Sequence, residues 1–326
     1  VRSRAVRAPN IGELFAPTRL QNLFLEDPCD VDNLNAGAAN RAANCAALGL
    51  PGDFQSNAGA VTTRVLTGGN VDLKEETADT ITFGVVLTPR FAPNLSVSID
   101  EWDIDIDDAV NSFPVQAVLN NCVDLMDTDN PFCDSITRRN DGNLESISSQ
   151  LINVASFKAR GIDFQADYLL DLDGFSNGSV PGLVNFNLVG TYLDKLAFFA
   201  QTETDAPDRE AGELGDPEWT VNLRATYELS RFTFSLYQRF ISSQRLDLGE
   251  SPEFRDPNST GSEWYTDLQV RYALGERTEV YAGIDNLFDN APPQLARVPE
   301  TRSFVTDAVV FDQIGRVLYA GFKVGF

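Results

Sequence analysis

Four cysteines, a pair of neighbouring carboxylates and an aspartate triplet are the residues whose types and spacing could do chemistry. Cys29 and Cys45, and Cys122 and Cys133, form two short-range pairs, and neither has the C-x2–4-C spacing of a zinc site. In segments rich in Asp, Asn and Ala they are expected as disulfides, which implies an oxidising compartment; buried free thiols are the alternative. Asp124, Asp127 and Asp129 resemble the start of a calcium loop, but no Gly at the sixth place or Glu at the twelfth completes the EF-hand pattern, so a structural role is expected. Asp103 and Asp105 could suit acid–base work, yet two carboxylates on one strand face are more simply a hydrated wall. Gly68-Gly69 is a turn before a strand rather than a phosphate loop. The chain contains no histidine, which removes Ser-His-Asp and Cys-His catalysis and His-ligated zinc together. No catalytic constellation remains, so neither an enzyme nor a cofactor or metal is expected.

The elements that hold these residues are bounded by length and charge. At 326 residues the chain has room for two ordinary domains or one large β-barrel domain. The 25 basic and 48 acidic residues give a net charge of −23, which argues against a phosphate-binding surface and hence against nucleic acid as a partner. No run of 18 apolar residues exists, so a transmembrane helix is excluded, whereas a membrane β-barrel, which shows itself by alternation, is not. The chain opens at Val1 without a leader-like segment and is expected to be a mature or cut piece of something longer.

Alternation of apolar and polar residues recurs along the whole chain. In Arg160 to Leu170, Ile162, Phe164, Ala166, Tyr168 and Leu170 oppose Asp163, Gln165 and Asp167. Leu183 to Leu196 sets Val184, Phe186 and Leu188 against Asn185 and Asn187, and Trp219 to Leu229 sets Val221, Leu223 and Ala225 against Asn222 and Arg224. Thr77 to Thr88, Phe232 to Phe240, Trp264 to Leu274, Thr278 to Ile284 and Arg316 to Phe326 behave alike, a strand-rich pattern of period two. Links such as Ser230-Arg231 and Gly275-Glu276 are tight, while residues 16–70, 107–156, 197–216, 241–263 and 287–315 are long connections. Short turns at one end and long loops at the other are the plan of an outer-membrane barrel.

The polar faces fit a hydrated interior. Asp163, Gln165, Asn185, Asn187, Arg224 and Arg271 are expected to face the lumen, with Trp219, Tyr227, Tyr168, Tyr192 and Trp264 in interfacial girdles. In Leu95 to Asp107 the apolar parity changes from Leu95, Val97 and Ile99 to Trp102, Ile104 and Ile106. This predicts either a bulge near Asp100-Glu101 or an inward-facing start to the strand, with Glu101, Asp103 and Asp105 in the lumen. The last strand places Leu318, Ala320, Phe322, Val324 and Phe326 on one face and ends on that aromatic residue. Such an ending resembles the signal read by the machinery that inserts outer-membrane barrels.

Taken in order, these segments resemble the C-terminal part of a TonB-dependent outer-membrane receptor. The resemblance is carried by Arg7-Ala8-Pro9-Asn10 with Glu13-Leu14-Phe15, by Gly69-Asn70 with Leu73-Lys74 and Glu76, and by Asp100, Trp102, Ile104 and Ile106. It continues through Asn153 and Arg160-Gly161-Ile162-Asp163-Phe164 to Asn286-Leu287-Phe288-Asp289, Gly315-Arg316 and Phe326. Glu75 stands where the family usually has Pro. The resemblance implies an all-β, antiparallel transmembrane barrel. This chain, 1–326, would supply about the last ten of 22 strands, the plug domain and earlier strands being absent from it. It also implies the outer membrane of a Gram-negative bacterium, outer-membrane lipid and the barrel-assembly machinery as partners, and contact with TonB only through the plug. In that setting the N-x-[ST] triplets at Asn94, Asn177 and Asn258 carry no meaning.

The function implied by kinship is TonB-energised uptake of a large nutrient, such as a siderophore, a cobalamin or an oligosaccharide. Lys158, Arg160, Arg239 and Arg271 would meet an anionic siderophore, whereas Trp264, Asn185 and Asn187 would suit a carbohydrate. A passive porin-like channel and a secreted acidic β-sandwich adhesin or lectin are the alternatives.

Overall fold

The computed structural model describes residues 1–153, 156–199, 208–246, 248, 257–298 and 303–325. Strands β1 (Arg2–Arg7), β2 (Glu76–Leu87), β3 (Leu95–Asp107), β4 (Ser156–Asp171), β5 (Leu183–Phe199), β6 (Trp219–Leu229), β7 (Phe232–Ile241), β8 (Glu263–Ala273), β9 (Thr278–Asp285) and β10 (Val317–Val324) form an antiparallel meander. Each pairs with its neighbours in sequence, and β1 and β10 are the two edges of an open sheet. The order follows from the links. A two-residue connection, Ser230-Arg231, leaves β6 and β7 no choice but to form a hairpin, and Ser230 adopts the left-handed backbone (φ 54) that so tight a reversal requires.

Register decides which side chains share a face. One row runs Asp167, Asn187, Arg224, Tyr237 and Asp267 across β4 to β8. The row beside it runs Tyr168, Phe186, Ala225, Leu236, Leu268, Ile284 and Leu318 across β4 to β10. The sheet thus has a polar inner face and an apolar outer face. Nothing covers the outer one among the described residues: Phe83 is 68% exposed and Phe322 75%. A β-sandwich would bury that face against a second sheet, so the sandwich alternative fails here. Outer-face aromatics lie in two bands. Trp219 and Tyr227, Phe240 and Phe232, and Trp264 and Tyr272 are each eight positions apart on consecutive strands. Ring contacts link Tyr192 to Trp219 at 4.5 Å and Phe240 to Trp264 at 4.6 Å in one band, and Phe232 to Tyr272 at 4.7 Å in the other.

Strand β3 departs from expectation. It pairs with β2 and β4 in unbroken register, so no bulge lies at Asp100-Glu101, and Leu95, Val97 and Ile99 face outward rather than inward. Ile99 pairs with Phe164, and Asp103 and Asp105 pair with Arg160 and Lys158, all on the outer face. The assignment of Glu101, Asp103 and Asp105 to the lumen is therefore wrong, as it is for Lys158 and Arg160. Trp102, Ile104 and Ile106 point inward, half-buried, and Trp102 lies so close over Gly161 that a Cβ there would sit 2.5 Å from the indole. The physical reason is that these strands outrun the apolar belt: beyond it the outer face meets a polar medium, while the inner face leans on folded loops. The bulge that does exist is in β5, where the register skips Asp194 opposite Arg160 and Gly161.

The loops after β1 and β3 fold on each other. Arg19–Leu23, Thr63–Thr67, Leu144–Ser148 and Ile136–Arg138 make a four-stranded sheet that draws strands from both. Beneath it Leu25, Val65, Leu119, Phe132 and Ile147 share one buried cluster with Cys29, Cys45 and Cys122. Both expected disulfides are present, Cys29–Cys45 with a Cα separation of 5.6 Å and Cys122–Cys133 with 4.6 Å. Each staples one loop. The loops are joined by Arg138, which donates two hydrogen bonds to the fully buried Asp27 carboxylate at 2.7 and 2.8 Å, and by Arg41, which pairs with Asp124. This unit touches the wall through Phe113, whose ring lies 4.8 Å from Phe132 and 5.4 Å from Phe198 of β5.

Candidate functional site: the inner wall and its mouth

The inner face is a hydrogen-bonded polar surface built by alternation. Asn187 donates to Asp167 at 2.7 Å, Thr191 to Asp163 at 2.7 Å and Gln165 to Asp167 at 2.6 Å. Further along, Tyr237 donates to Asn222 at 2.6 Å, Arg271 to Gln269 at 2.6 Å and Gln269 to Tyr319 at 3.0 Å. Arg224 lies 5.9 Å from the Tyr237 ring centroid and Arg239 4.7 Å from that of Tyr265. Among the described residues none of Arg224, Arg239 and Arg271 forms an ion pair, so each keeps its positive charge available to a solute. A groove of about 480 Å³ runs between Arg224, Thr226, Tyr237, Asp267, Gln269 and Arg271.

The structure brings together six of the residues expected in the lumen: Asp163, Gln165, Asn185, Asn187, Arg224 and Arg271 share the inner face. Asp103 and Asp105 do not join them. Trp264, a candidate for carbohydrate stacking, is on the outer face against Phe240. Leu318, Ala320, Phe322 and Val324 form one outer row against Ile284, Ala282, Val280 and Thr278, and Phe326 lies outside the described residues. The aspartate triplet is spent on structure, since Asp124 pairs with Arg41 and Asp127 accepts from the Asp129 N–H.

Two networks explain short motifs in the sequence. Asn10 and Glu13 cap each other's backbone across one helical turn, at 2.9 and 2.7 Å, and Glu13 then accepts from Arg7 at 3.0 Å. Arg7 also pairs with Glu76, whose other oxygen accepts from Val110 N–H at 2.6 Å. Gly69 is needed there because a Cβ would stand 2.7 Å from the Leu14 carbonyl oxygen. At the other end, buried Asn286 turns the chain out of β9. It donates its backbone N–H to Asp267 at 2.8 Å and its side-chain amide to Asn290 and Asp312 at 2.9 and 3.1 Å. Asp289 accepts from Arg316 N–H at 2.9 Å and so ties the start of β10 to the same turn.

That turn closes a smaller cavity, about 270 Å³, at the long-loop end of β7 to β10. It is lined by Tyr237, Arg239, Tyr265, Asp267, Asp285 and Asp312. The sequence reading named Arg239 and missed the other five, Tyr265, Asp267, Asp285, Asp312 and Tyr237. The first two could have been found from parity, because Tyr265, Asp267, Gln269 and Arg271 alternate with the outward Trp264, Leu268 and Val270. Asp312 could not, since it comes from the loop after β9.

An antiparallel meander with one face apolar, banded by aromatics and uncovered, and the other polar and grooved, is a wall of a membrane β-barrel. The sequence matches the family described as "TonB dependent receptor-like, beta-barrel" over residues 3–287, and the chain belongs to that family of outer-membrane receptors. Solved structures share the fold. A mutant of the ferric enterobactin receptor PfeA from Pseudomonas aeruginosa is 15% identical with a TM-score of 0.59, covering 100% of this chain and 37% of that one. The siderophore receptor PirA from Acinetobacter baumannii is 15% identical with a TM-score of 0.57, covering 100% of this chain and 38% of that one. This chain thus spans little more than a third of either structure. No curated protein matches the sequence.

Proposed function

We propose that this chain forms part of the wall and mouth of a receptor in the outer membrane of a Gram-negative bacterium, and that the receptor takes up a large anionic nutrient, a ferric siderophore, at the expense of TonB energy. The observation that carries the ligand class is the pair of inner-face cations Arg224 and Arg271, which line one groove and make no ion pair among the described residues. Guanidinium groups hold planar carboxylates through paired donors, and Arg224 and Arg271 are exposed on the inner face. The names of the structural neighbours, a ferric enterobactin receptor and a siderophore receptor, support the same class. In this proposal a plug and the remaining strands come from sequence beyond this chain. TonB acts on that plug, and Leu318, Ala320, Phe322, Val324 and Phe326 serve the barrel-assembly machinery.

The test is uptake of radiolabelled ferric siderophores by iron-starved cells that make the full-length receptor. Accumulation that disappears in a tonB deletion, and that weakens in Arg224→Gln and Arg271→Gln receptors, is expected. Uptake of small solutes that persists without TonB would instead identify a passive channel.

A further inference from the structure

We infer that Arg19–Leu23, one edge of the four-stranded loop sheet, is a docking strand for an extended segment of the same receptor, contributed by the long loop that leads into the wall strand beside β1. The inference rests on the reading above that further wall strands lie in sequence beyond this chain. The two edges of the loop sheet are unlike. Ile136–Arg138 is only three residues long, its register slips between Thr137 and Arg138, and Arg138 is committed to Asp27. Short length, a bulge and a charge are the usual means by which an edge is closed to pairing. Arg19–Leu23 lacks the first two, and its single charge stands at its first position. Its five residues keep unbroken register with Thr63–Thr67 and contain no proline. Arg19 to Asn22 are exposed whichever face they point to, so the strand overhangs the buried core.

The second, independent feature is the apolar surface along that edge. Leu20 and Phe24 share one face by parity and are 55% and 66% exposed. Ile11 and Phe15, one turn apart on the short helix Ile11–Phe15, are 80% and 64% exposed. That helix is fastened to the root of the same strand pair. Gly69, two residues past the Thr67 that pairs with Arg19, donates its N–H to the Ala16 carbonyl at 3.0 Å, and Asn70 donates to that of Glu13 at 2.8 Å. An open edge flanked by large exposed apolar side chains suits an added strand: its backbone takes up the free N–H and C=O groups, and its alternate side chains cover Leu20 and Phe24.

Position names the occupant. Arg19–Leu23 belongs to the loop that leaves β1, and β1 is itself an unpaired edge of the wall. Lipid does not tolerate an open sheet edge, so the wall must continue past β1. This chain spans little more than a third of solved structures with the same fold, which have further wall to supply. The strand that pairs with β1 runs antiparallel to it and therefore begins at the long-loop end, beside the loop that leaves β1. The long loop that feeds that strand is thus the nearest segment to Arg19–Leu23, and the open edges of the wall and of the loop sheet become one continuous interface.

The test uses full-length receptor in detergent, shown to be folded by heat-modifiable migration. A strand paired on one side only turns every other N–H to solvent. Hydrogen exchange read amide by amide should find all of Leu20 to Leu23 slow, about tenfold or more slower than the solvent-directed amides of Ile136–Arg138. Alternating fast and slow amides along Arg19–Leu23 would overturn the proposal, and this measurement needs no variant. The occupant is read by photocrosslinking from Leu20→p-benzoylphenylalanine. A link within one chain to the long loop that precedes the strand beside β1 is expected. A link to the plug, a link to a second copy, or no link at all would each overturn the assignment. Neither measurement involves nutrient or TonB. Uptake by a receptor whose edge is free would therefore refute only the docking strand, and a docked edge without TonB-dependent uptake only the transport proposal.

Discussion

Leu223, Leu236 and Leu268 lie halfway between the two aromatic bands of the outer face. Each is four positions from the aromatic residue on either side, between Trp219 and Tyr227, Phe240 and Phe232, and Trp264 and Tyr272. Eight residues of strand span about 26 Å, which at a tilt of about 40° is a height of roughly 20 Å, close to the apolar belt of such barrels. The three leucines therefore mark the bilayer midplane. Arginine at Leu236 should destabilise the inserted receptor by about 2–4 kcal/mol, whereas arginine at Phe232, level with one band, should cost about 0–1 kcal/mol. Ser235, one residue along, faces the inner groove, and arginine there should be tolerated because that side is hydrated. The assay is the folded fraction of full-length receptor in lipid vesicles over a urea series, read by heat-modifiable migration. About 3 kcal/mol is more than a hundredfold in the folding equilibrium, well resolved by such a titration. Equal losses at Leu236 and Ser235, or no difference between Leu236 and Phe232, would refute both the face assignment and the placement of the midplane.

Other outcomes follow from the loops. Cys29→Ser should weaken the loop unit by about 3 kcal/mol, seen as faster proteolytic nicking between residues 29 and 45, and mass spectrometry of unreduced peptides should recover both linkages. Arg138→Ala leaves the buried Asp27 carboxylate without its cation, held only by the Cys29 N–H and the Ser56 hydroxyl, and should cost about 3 kcal/mol, measured by chemical denaturation of the loop unit. Burial, and then the nearby Asp307 carboxylate, raise the pKa of Asp216 in the loop before β6. A carboxyl raised in the folded state is penalised once ionised, so that loop should loosen as pH rises through the raised pKa and tighten below the ordinary carboxylate range. Hydrogen exchange around Asp216 should show this, and Asp216→Asn should abolish it.

Much of the wall was legible in the sequence because it rests on local rules. A period of two fixes which residues of a strand share a face, and tight links such as Ser230-Arg231 fix which strands pair. Asp163, Gln165, Asn185, Asn187, Arg224 and Arg271 fall together by that rule, and the strand register puts them on one face of the sheet. The cysteine pairs were legible too, since each closes a short loop.

Absolute direction was not. Alternation says that Asp103 and Asp105 oppose Trp102 and Ile104, but not which set faces out; that depends on register against Arg160 and Lys158 and on where the apolar belt stops. Nor does any local pattern say that two loops far apart in sequence share one core. Asp27 and Arg138 meet across 111 positions, and Arg64 and Ser146 pair in parallel. The cavity at the mouth has the same origin, because Asp312 reaches Asp267 and Asp285 only through the turn that Asn286 makes. Sequence by itself determined the strands, their pairing and the two faces, since these depend on neighbours in the chain. Tertiary structure alone decided the outward charges, the joined loops and the cavity, since each arises from contacts between residues whose proximity no period encodes.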